Sequence, residues 1–287
     1  MIGPATRTAW LLGSPLGHTL SPAMHNAAYR DLGLDLVYLA ARVEPAGLGR
    51  ALEGLAALGA VGCNLTLPLK EAALPHLRHL EEPARSLGAV NTVRFGPSGP
   101  VGLNTDAEGW LRSWDEEVGE PLEGRSALIL GAGGAARAVF WALASRGVGE
   151  IRVLARGVER ARRLVGDLAR PDLRASVGPA PLCPGMVVIQ ATPAGMEPDP
   201  SGTAFPWPDE VPPGVVACDL VYRPRQTRFL REATERGART LGGLGMLVHQ
   251  AAAAVEAWTG RRPEARVLRD AALAALEVPR PGGRALS

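Results

Sequence analysis

The stretch 126-SALILGAGGAARAVFWALA-144 constrains the fold of this chain more than any other. Residues 126–130 are small or branched and apolar, the content of a buried strand; a glycine turn follows, and then an apolar helix that ends near Gly147. Gly131, Gly133 and Ala136 occupy the three fixed positions of the pattern G-x-G-x-x-G/A. The first gives a tight turn, the second lets the backbone approach a pyrophosphate, and the third packs helix on strand. Helix N-terminal amides then face the phosphates, which makes Gly131, Ala132, Gly133, Gly134 and Ala135 candidate cofactor residues. A membrane span fits this window in length only, because Arg137 and three glycines interrupt it.

A second strand, 150-EIRVLA-155, completes the βαβ pattern, and Arg156 follows it with Arg160 one turn on. An acidic residue there would favour NAD, whereas a 2′-phosphate wants arginine, so the pair points to NADP. The residues alone leave open a solvated arginine pair on an amphipathic helix. Further on, 171–185 reads as loop plus edge strand, and strands at 186-MVVIQATPAGM-196 and 214-GVVACDLVYRP-224 alternate with helical segments at 158–170 and 226–236. The alternation predicts a doubly wound sheet. A polar linker at 115–125 separates it from the front half.

The front half holds the chemistry. Of 31 Lys+Arg residues only Lys70 is a lysine. Arginine stays protonated, while a lysine amine can give up a proton and take it back. Lys70 follows the strand 60–66, on which Asn64 and Thr66 alternate with apolar residues, and opens a helix-like segment over 70–80. Earlier, a strand at 8–13 leads to a helix from Pro22 to Asp31, with Ser21 read as its N-cap and Thr19 beside it. A strand at 36–40 and an amphipathic helix at 45–59 follow that one. After Lys70, a strand over 89–95 carries Asn91, Gly99-Pro100 turns the chain, and Asn104, Thr105 and Asp106 precede another helix. Asp106 stays open between helix cap and site carboxylate. The chain then closes with a long apolar helix at 242–260 carrying Gln250, a helix at 263–276 and a frayed tail at 278–287.

Composition narrows the classes of function. Net charge is +2 and the basic residues are scattered, which argues against nucleic-acid binding. Three cysteines stand at no metal-ligand spacing, so no metal is expected and a reducing, cytoplasmic setting is. The first thirteen residues lack a long apolar segment behind a basic start, so no secretory signal is expected.

In order, 21-SPAMHN-26, 64-NLTLPLK-70, 88-GAVNT-92 with 102-GLNTDAEGW-110, and 219-DLVYRP-224 with 243-GLGMLVHQ-250 resemble the shikimate dehydrogenase family. The resemblance covers nearly the whole chain. It implies two α/β domains: a substrate-binding catalytic domain of 1–107 completed by 243–287, and a Rossmann-like NADP domain of 108–242. It implies reversible NADP-dependent reduction of 3-dehydroshikimate to shikimate, on the route to chorismate and the aromatic amino acids. Lys70 and Asp106 become the catalytic pair. Thr19, Ser21, Asn64, Thr66, Asn91, Tyr222 and Gln250 become substrate contacts, and Thr192, Met246 and Gly243 join the cofactor set. The partner is a small molecule, with no nucleic acid or membrane, and a homodimer is compatible with it.

Two departures accompany the resemblance. Threonine at 19 replaces a usual serine, and its added methyl group can tilt preference toward quinate. Ala155-Arg156-Gly157 replaces Asn-Arg-Thr or Asn-Arg-Ser, which weakens the NADP preference. The alternatives are therefore a quinate/shikimate dehydrogenase using NAD or NADP and, in another class, a non-catalytic dinucleotide-binding regulator.

Overall fold

The structure, a computed structural model, describes residues 2–17 and 19–277. The tail read as frayed, 278–287, lies outside the described residues. Two six-stranded sheets organise the rest.

The first sheet contains β1 (Arg7–Gly13), β2 (Leu36–Arg42), β3 (Gly62–Leu65), β4 (His79–Leu80), β5 (Thr92–Gly96) and β6 (Gly99–Leu103), in the order β2-β1-β3-β5-β6-β4. Strands β2, β1 and β3 are parallel, and β5 runs against both β3 and β6. Helices α1 (Ser21–Asp31), α2 (Leu48–Ala57), α3 (Leu69–Ala72) and α4 (Ala84–Leu87) connect these strands. After α5 (Asp106–Glu117) comes the second sheet, with β7 (Ser126–Leu130), β8 (Glu150–Leu154), β9 (Arg174–Val177), β10 (Val187–Gln190), β11 (Val216–Asp219) and β12 (Arg239–Leu241). Its order, β12-β11-β10-β7-β8-β9, is parallel throughout. Read from β9, it is the 3-2-1-4-5-6 order of a dinucleotide-binding sheet, whose direction reverses between β7 and β10. Helices α6 (Gly134–Ser145), α7 (Val158–Leu168) and α8 (Arg228–Glu235) cover it, and α9 (Gly243–Thr259) and α10 (Ala265–Glu277) return to the first sheet.

The two halves meet through α5 and α9. Trp110 and Trp114 of α5 are buried in the core of the second sheet, beside Val139 and Phe140 of α6. Val248, Ala251, Ala252 and Val255 of α9 are buried instead against Ala9, Leu11 and Tyr38 of the first. The helices touch each other where Gly109 faces α9: a Cβ there would stand 2.7 Å from the Met246 carbonyl and 2.8 Å from the Gln250 amide nitrogen. Their backbones are thus as close as glycine allows.

Four readings of the sequence need correction. The segment 70–80 is no continuous helix: it is α3, a single 3₁₀ turn at Leu74–His76 and then β4. Pro75 has no N–H for a longer helix, and the chain past it pairs with β6. The chain does turn in a hairpin there, but the turn falls at 97–98 and Gly99-Pro100 already begins β6, which pairs with β5 from Gly99 onward. The linker at 115–125 begins late, because α5 continues to Glu117. Ser21 is the first residue of α1 and caps nothing; Leu20 holds the cap position, and the Ser21 amide donates to Thr19 Oγ1 at 3.2 Å.

Candidate active site

Gly131 follows the C-terminal end of β7 with φ +115°, a region closed to side chains, and a Cβ there would lie 2.9 Å from the Ala191 carbonyl. The turn therefore passes across the end of β10 at the point where strand order reverses. A cleft of about 1450 Å³ opens there, lined by the turn residues 131–135 and by Thr192. Arg156 and Arg160 line its rim, and both are exposed. Neither guanidinium is ion-paired with a described side chain. Thr66 and Lys70 line the opposite wall, so a cleft shared by both sheets carries the two groups of candidates.

A dinucleotide fits this wall. At Gly133 a Cβ would meet nothing within 4 Å, which leaves open space along the backbone, and no side chain caps α6. Uncapped helix amides and two unpaired arginines suit pyrophosphate and 2′-phosphate in turn. Ala136 is fully buried against the strands, as its packing role requires.

On the facing wall Lys70 Nζ donates to Asp106 Oδ2 at 2.5 Å, with the lysine side chain 20% exposed and the aspartate 7%. Asp106 is the first residue of α5, yet its carboxylate does not cap the helix. Its Oδ1 accepts from Asn91 Nδ2 at 2.8 Å, and its amide donates to Asn104 Oδ1 at 3.0 Å. Lys70 packs on the glycine turn itself: a Cβ on Gly134 would sit 3.2 Å from Lys70 Cδ.

Behind this pair lies a buried polar layer. Gln250 Oε1 is 3.5 Å from Asn91 Nδ2, and Asn64 Nδ2 donates to the Asn91 carbonyl at 3.2 Å. Tyr38 OH donates to Asn64 Oδ1 at 2.7 Å, and the Ser21 hydroxyl lies beside the same phenol. Thr19, Ser21, Asn64, Asn91, Asp106 and Gln250 are thereby drawn to one side of Lys70. Tyr222 is half-buried against the core of the first sheet, and Met246 is buried; neither lines the cleft. Gly243 lies under the Leu220 carbonyl, 2.3 Å from where its Cβ would be, also away from the cleft wall. Sequence reasoning passed over Tyr38 and Thr92. Alternation would have placed Tyr38 on the inner face of its strand, and Thr92 closes the motif 88-GAVNT-92.

Asp219, at the end of β11, holds the loop that carries Tyr222. Its Oδ1 accepts from the Val221 amide at 2.9 Å and its Oδ2 from Thr227 Oγ1 at 2.5 Å. Burial nevertheless dominates and pushes its carboxyl up from 3.8 to about 7. The folded chain takes up a proton there between those values, so the contribution of Asp219 to stability is full below pH 3.8 and is lost as pH rises through about 7. Replacing it with asparagine is expected to remove that dependence. Denaturation midpoints of D219N and the parent between pH 4 and 8 check this; parallel profiles would refute it.

Comparison with known proteins bears on the same residues. A model of the shikimate dehydrogenase substrate-binding domain matches residues 11–93, and one of the shikimate 5'-dehydrogenase C-terminal domain matches residues 243–273. A shikimate dehydrogenase (NADP(+)) of Symbiobacterium thermophilum is 45% identical over 284 residues, 96% of each chain. The crystal structure of shikimate 5-dehydrogenase from Thermus thermophilus in complex with NADP(H) and shikimate is similar, with a TM-score of 0.83 and 42% identity, covering 94% of this chain and 100% of that one. Quinate dehydrogenase from Corynebacterium glutamicum in complex with NAD gives a TM-score of 0.81 at 32% identity, covering 94% of this chain and 99% of that one. Among the described residues no helix is long and apolar enough to cross a membrane.

Proposed function

This chain belongs to the shikimate dehydrogenase family, and from that premise we infer that it catalyses the reversible, NADP-dependent reduction of 3-dehydroshikimate to shikimate, in the supply of chorismate and the aromatic amino acids. The observation that carries the reading is the approach of Lys70 to Asp106 at 2.5 Å, packed on the glycine turn that would hold the cofactor. NADPH, when bound, supplies the hydride. The chain's own residues manage the charge and the proton. Negative charge grows on the ketone oxygen during reduction, and a cationic Lys70 ammonium stabilises it and delivers a proton to it. Asp106 holds that ammonium in place. In the reverse direction the Lys70 amine accepts the hydroxyl proton.

In this reading residues 1–107, completed by 243–287, bind substrate, and 108–242 bind NADP. Thr19, Ser21, Asn64, Thr66, Asn91 and Gln250 hold the hydroxyls and carboxylate of the substrate; Tyr222, which does not line the cleft, joins them on the resemblance alone. Residues 131–135 and Thr192 hold the cofactor, with Arg156 and Arg160 on its 2′-phosphate; Met246 and Gly243, which do not line the cleft, enter this set on the resemblance alone. The clustering of polar side chains around Lys70 and the two unpaired arginines on the rim support this division. A homodimer is compatible with it, and buried free Cys63 and Cys218 support a cytoplasmic setting.

The second reading, a quinate/shikimate dehydrogenase using NAD or NADP, is favoured by Thr19 and by the likeness to quinate dehydrogenase. Steady-state rates with shikimate and quinate, each with NADP and NAD, separate the two. The kcat/KM for shikimate with NADP is expected to exceed the other three by about tenfold or more, the scale of one well-placed polar contact. A higher value with quinate or with NAD would displace the first reading. A non-catalytic regulator has no need of a lysine–carboxylate pair inside the cleft.

A further inference from the structure

The amide side chains of Asn64 and Asn91 both face Thr92, a residue in neither the substrate nor the cofactor set. Thr92 begins β5, opposite Asn64 of β3 in the antiparallel ladder, and is fully buried. Its hydroxyl has one proton to give. Asn64 Nδ2, which can only donate, reaches Thr92 Oγ1 at 3.0 Å. The Thr92 proton has two acceptors in reach, Asn91 Oδ1 at 2.9 Å and Thr105 Oγ1 at 3.3 Å, and the shorter bond is to Asn91.

The direction of this chain of bonds is fixed at both ends. Asn64 Nδ2 also donates to the Asn91 carbonyl, which cannot donate back, so the Asn64 amide has one sense. Asn91 Oδ1 accepts from the Thr105 amide at 2.8 Å, which fixes the Asn91 side chain the same way. Its Nδ2 must therefore point at Asp106 Oδ1. With Thr92 between them, one uninterrupted series runs from Tyr38 OH through Asn64, Thr92, Asn91 and Asp106 to Lys70. Thr92 is the link joining the substrate-side amide to the carboxylate that steers the amine.

We propose that Thr92 is a positioning residue: its hydroxyl holds Asn64 and Asn91 in register, so that substrate and the Lys70–Asp106 pair are aligned by one buried network. The inference rests on the functional reading above. Without the hydroxyl, Asn64 Nδ2 and Asn91 Oδ1 each lose a buried partner and both amides gain freedom to tilt. One such bond corresponds to about a tenfold effect, and misalignment acts on the reacting geometry itself.

The test uses the full-length protein with Thr92→Ala, Thr92→Val and Thr92→Ser, assayed for shikimate oxidation with NADP across pH, alongside NADP binding by calorimetry. For Thr92→Ala, kcat is expected to fall about tenfold and the shikimate KM to rise severalfold, with a shifted pH profile. NADP affinity should stay within about twofold, and Thr92→Ser should restore kcat and the profile to within about threefold of the parent. Thr92→Val should behave as Thr92→Ala; if valine prevents folding, alanine decides. A parent enzyme active on shikimate, with Thr92→Ala matching it in kcat and profile whatever its melting temperature, would reduce Thr92 to packing and overturn the inference alone. A parent with no turnover of shikimate would remove the functional reading and this inference with it.

Discussion

Replacing Lys70 with alanine lowers shikimate turnover about a thousandfold and leaves NADP affinity within about threefold. The expected size is that of losing a placed general acid together with charge stabilisation of the developing oxyanion. Affinity is spared because the turn residues and the rim arginines, which would hold the phosphates, stay in place. A second substitution separates charge from proton transfer: Lys70→Arg keeps the positive charge beside Asp106 but cannot release its proton at accessible pH. Its turnover should exceed that of the alanine variant by the charge contribution alone and stay well below the parent's. Single-turnover and steady-state rates, with calorimetry for NADP, read both effects. Unchanged turnover in Lys70→Ala would reject Lys70 as the group that delivers the proton.

Replacing Gly109 with leucine is expected to cost about 3 kcal/mol of stability, at the upper end for overpacked cores. Leucine is a far better helix former than glycine, by roughly 0.8 kcal/mol, so local propensity favours the change. Packing opposes it and wins. The atoms that a Cβ would strike, at 2.7 Å and 2.8 Å, belong to the α9 backbone and to the base of Gln250. None of them is the free end of a flexible side chain, so α5 and α9 must separate. Gln250 moves with its helix, and the shikimate KM should rise along with the loss of stability. Gly54→Ala on α2 is the control: a Cβ there meets nothing within 4 Å, and it should stabilise slightly. Denaturation midpoints of the two variants moving together would show that the α5–α9 contact is not tight.

The nucleotide wall was legible in the sequence because its determinants are local. The φ of Gly131, the open side of Gly133 and the buried Ala136 all follow from a pattern six residues long. Lys70 was legible by being the chain's one lysine. Its distance to Asp106 was not, because β3 and α5 are brought together by a sheet whose middle strands reverse direction. Ser21 misled for a related reason: its sequence looks like a cap, but Thr19 already serves its amide and the phenol of Tyr38 draws its hydroxyl inward. Thr92 closes the motif 88-GAVNT-92, but its use was hidden because one of the two amides it joins, that of Asn64, is reached across a ladder. Pro75 was a local signal of the break within 70–80 that the helical reading overrode.

The close contact of α5 with α9 has a consequence for building hybrids of this enzyme. Asp106 opens a helix whose tryptophans are rooted in the nucleotide half, while Gln250 rides on a helix rooted in the substrate half. Cutting at the ends of the nucleotide segment divides α5 just after Asp106 and leaves α9 behind. A cofactor module transplanted from a relative would thus bring most of the helix that carries the host's own carboxylate. The graft should work best when the donor supplies a glycine at position 109, whatever its similarity elsewhere.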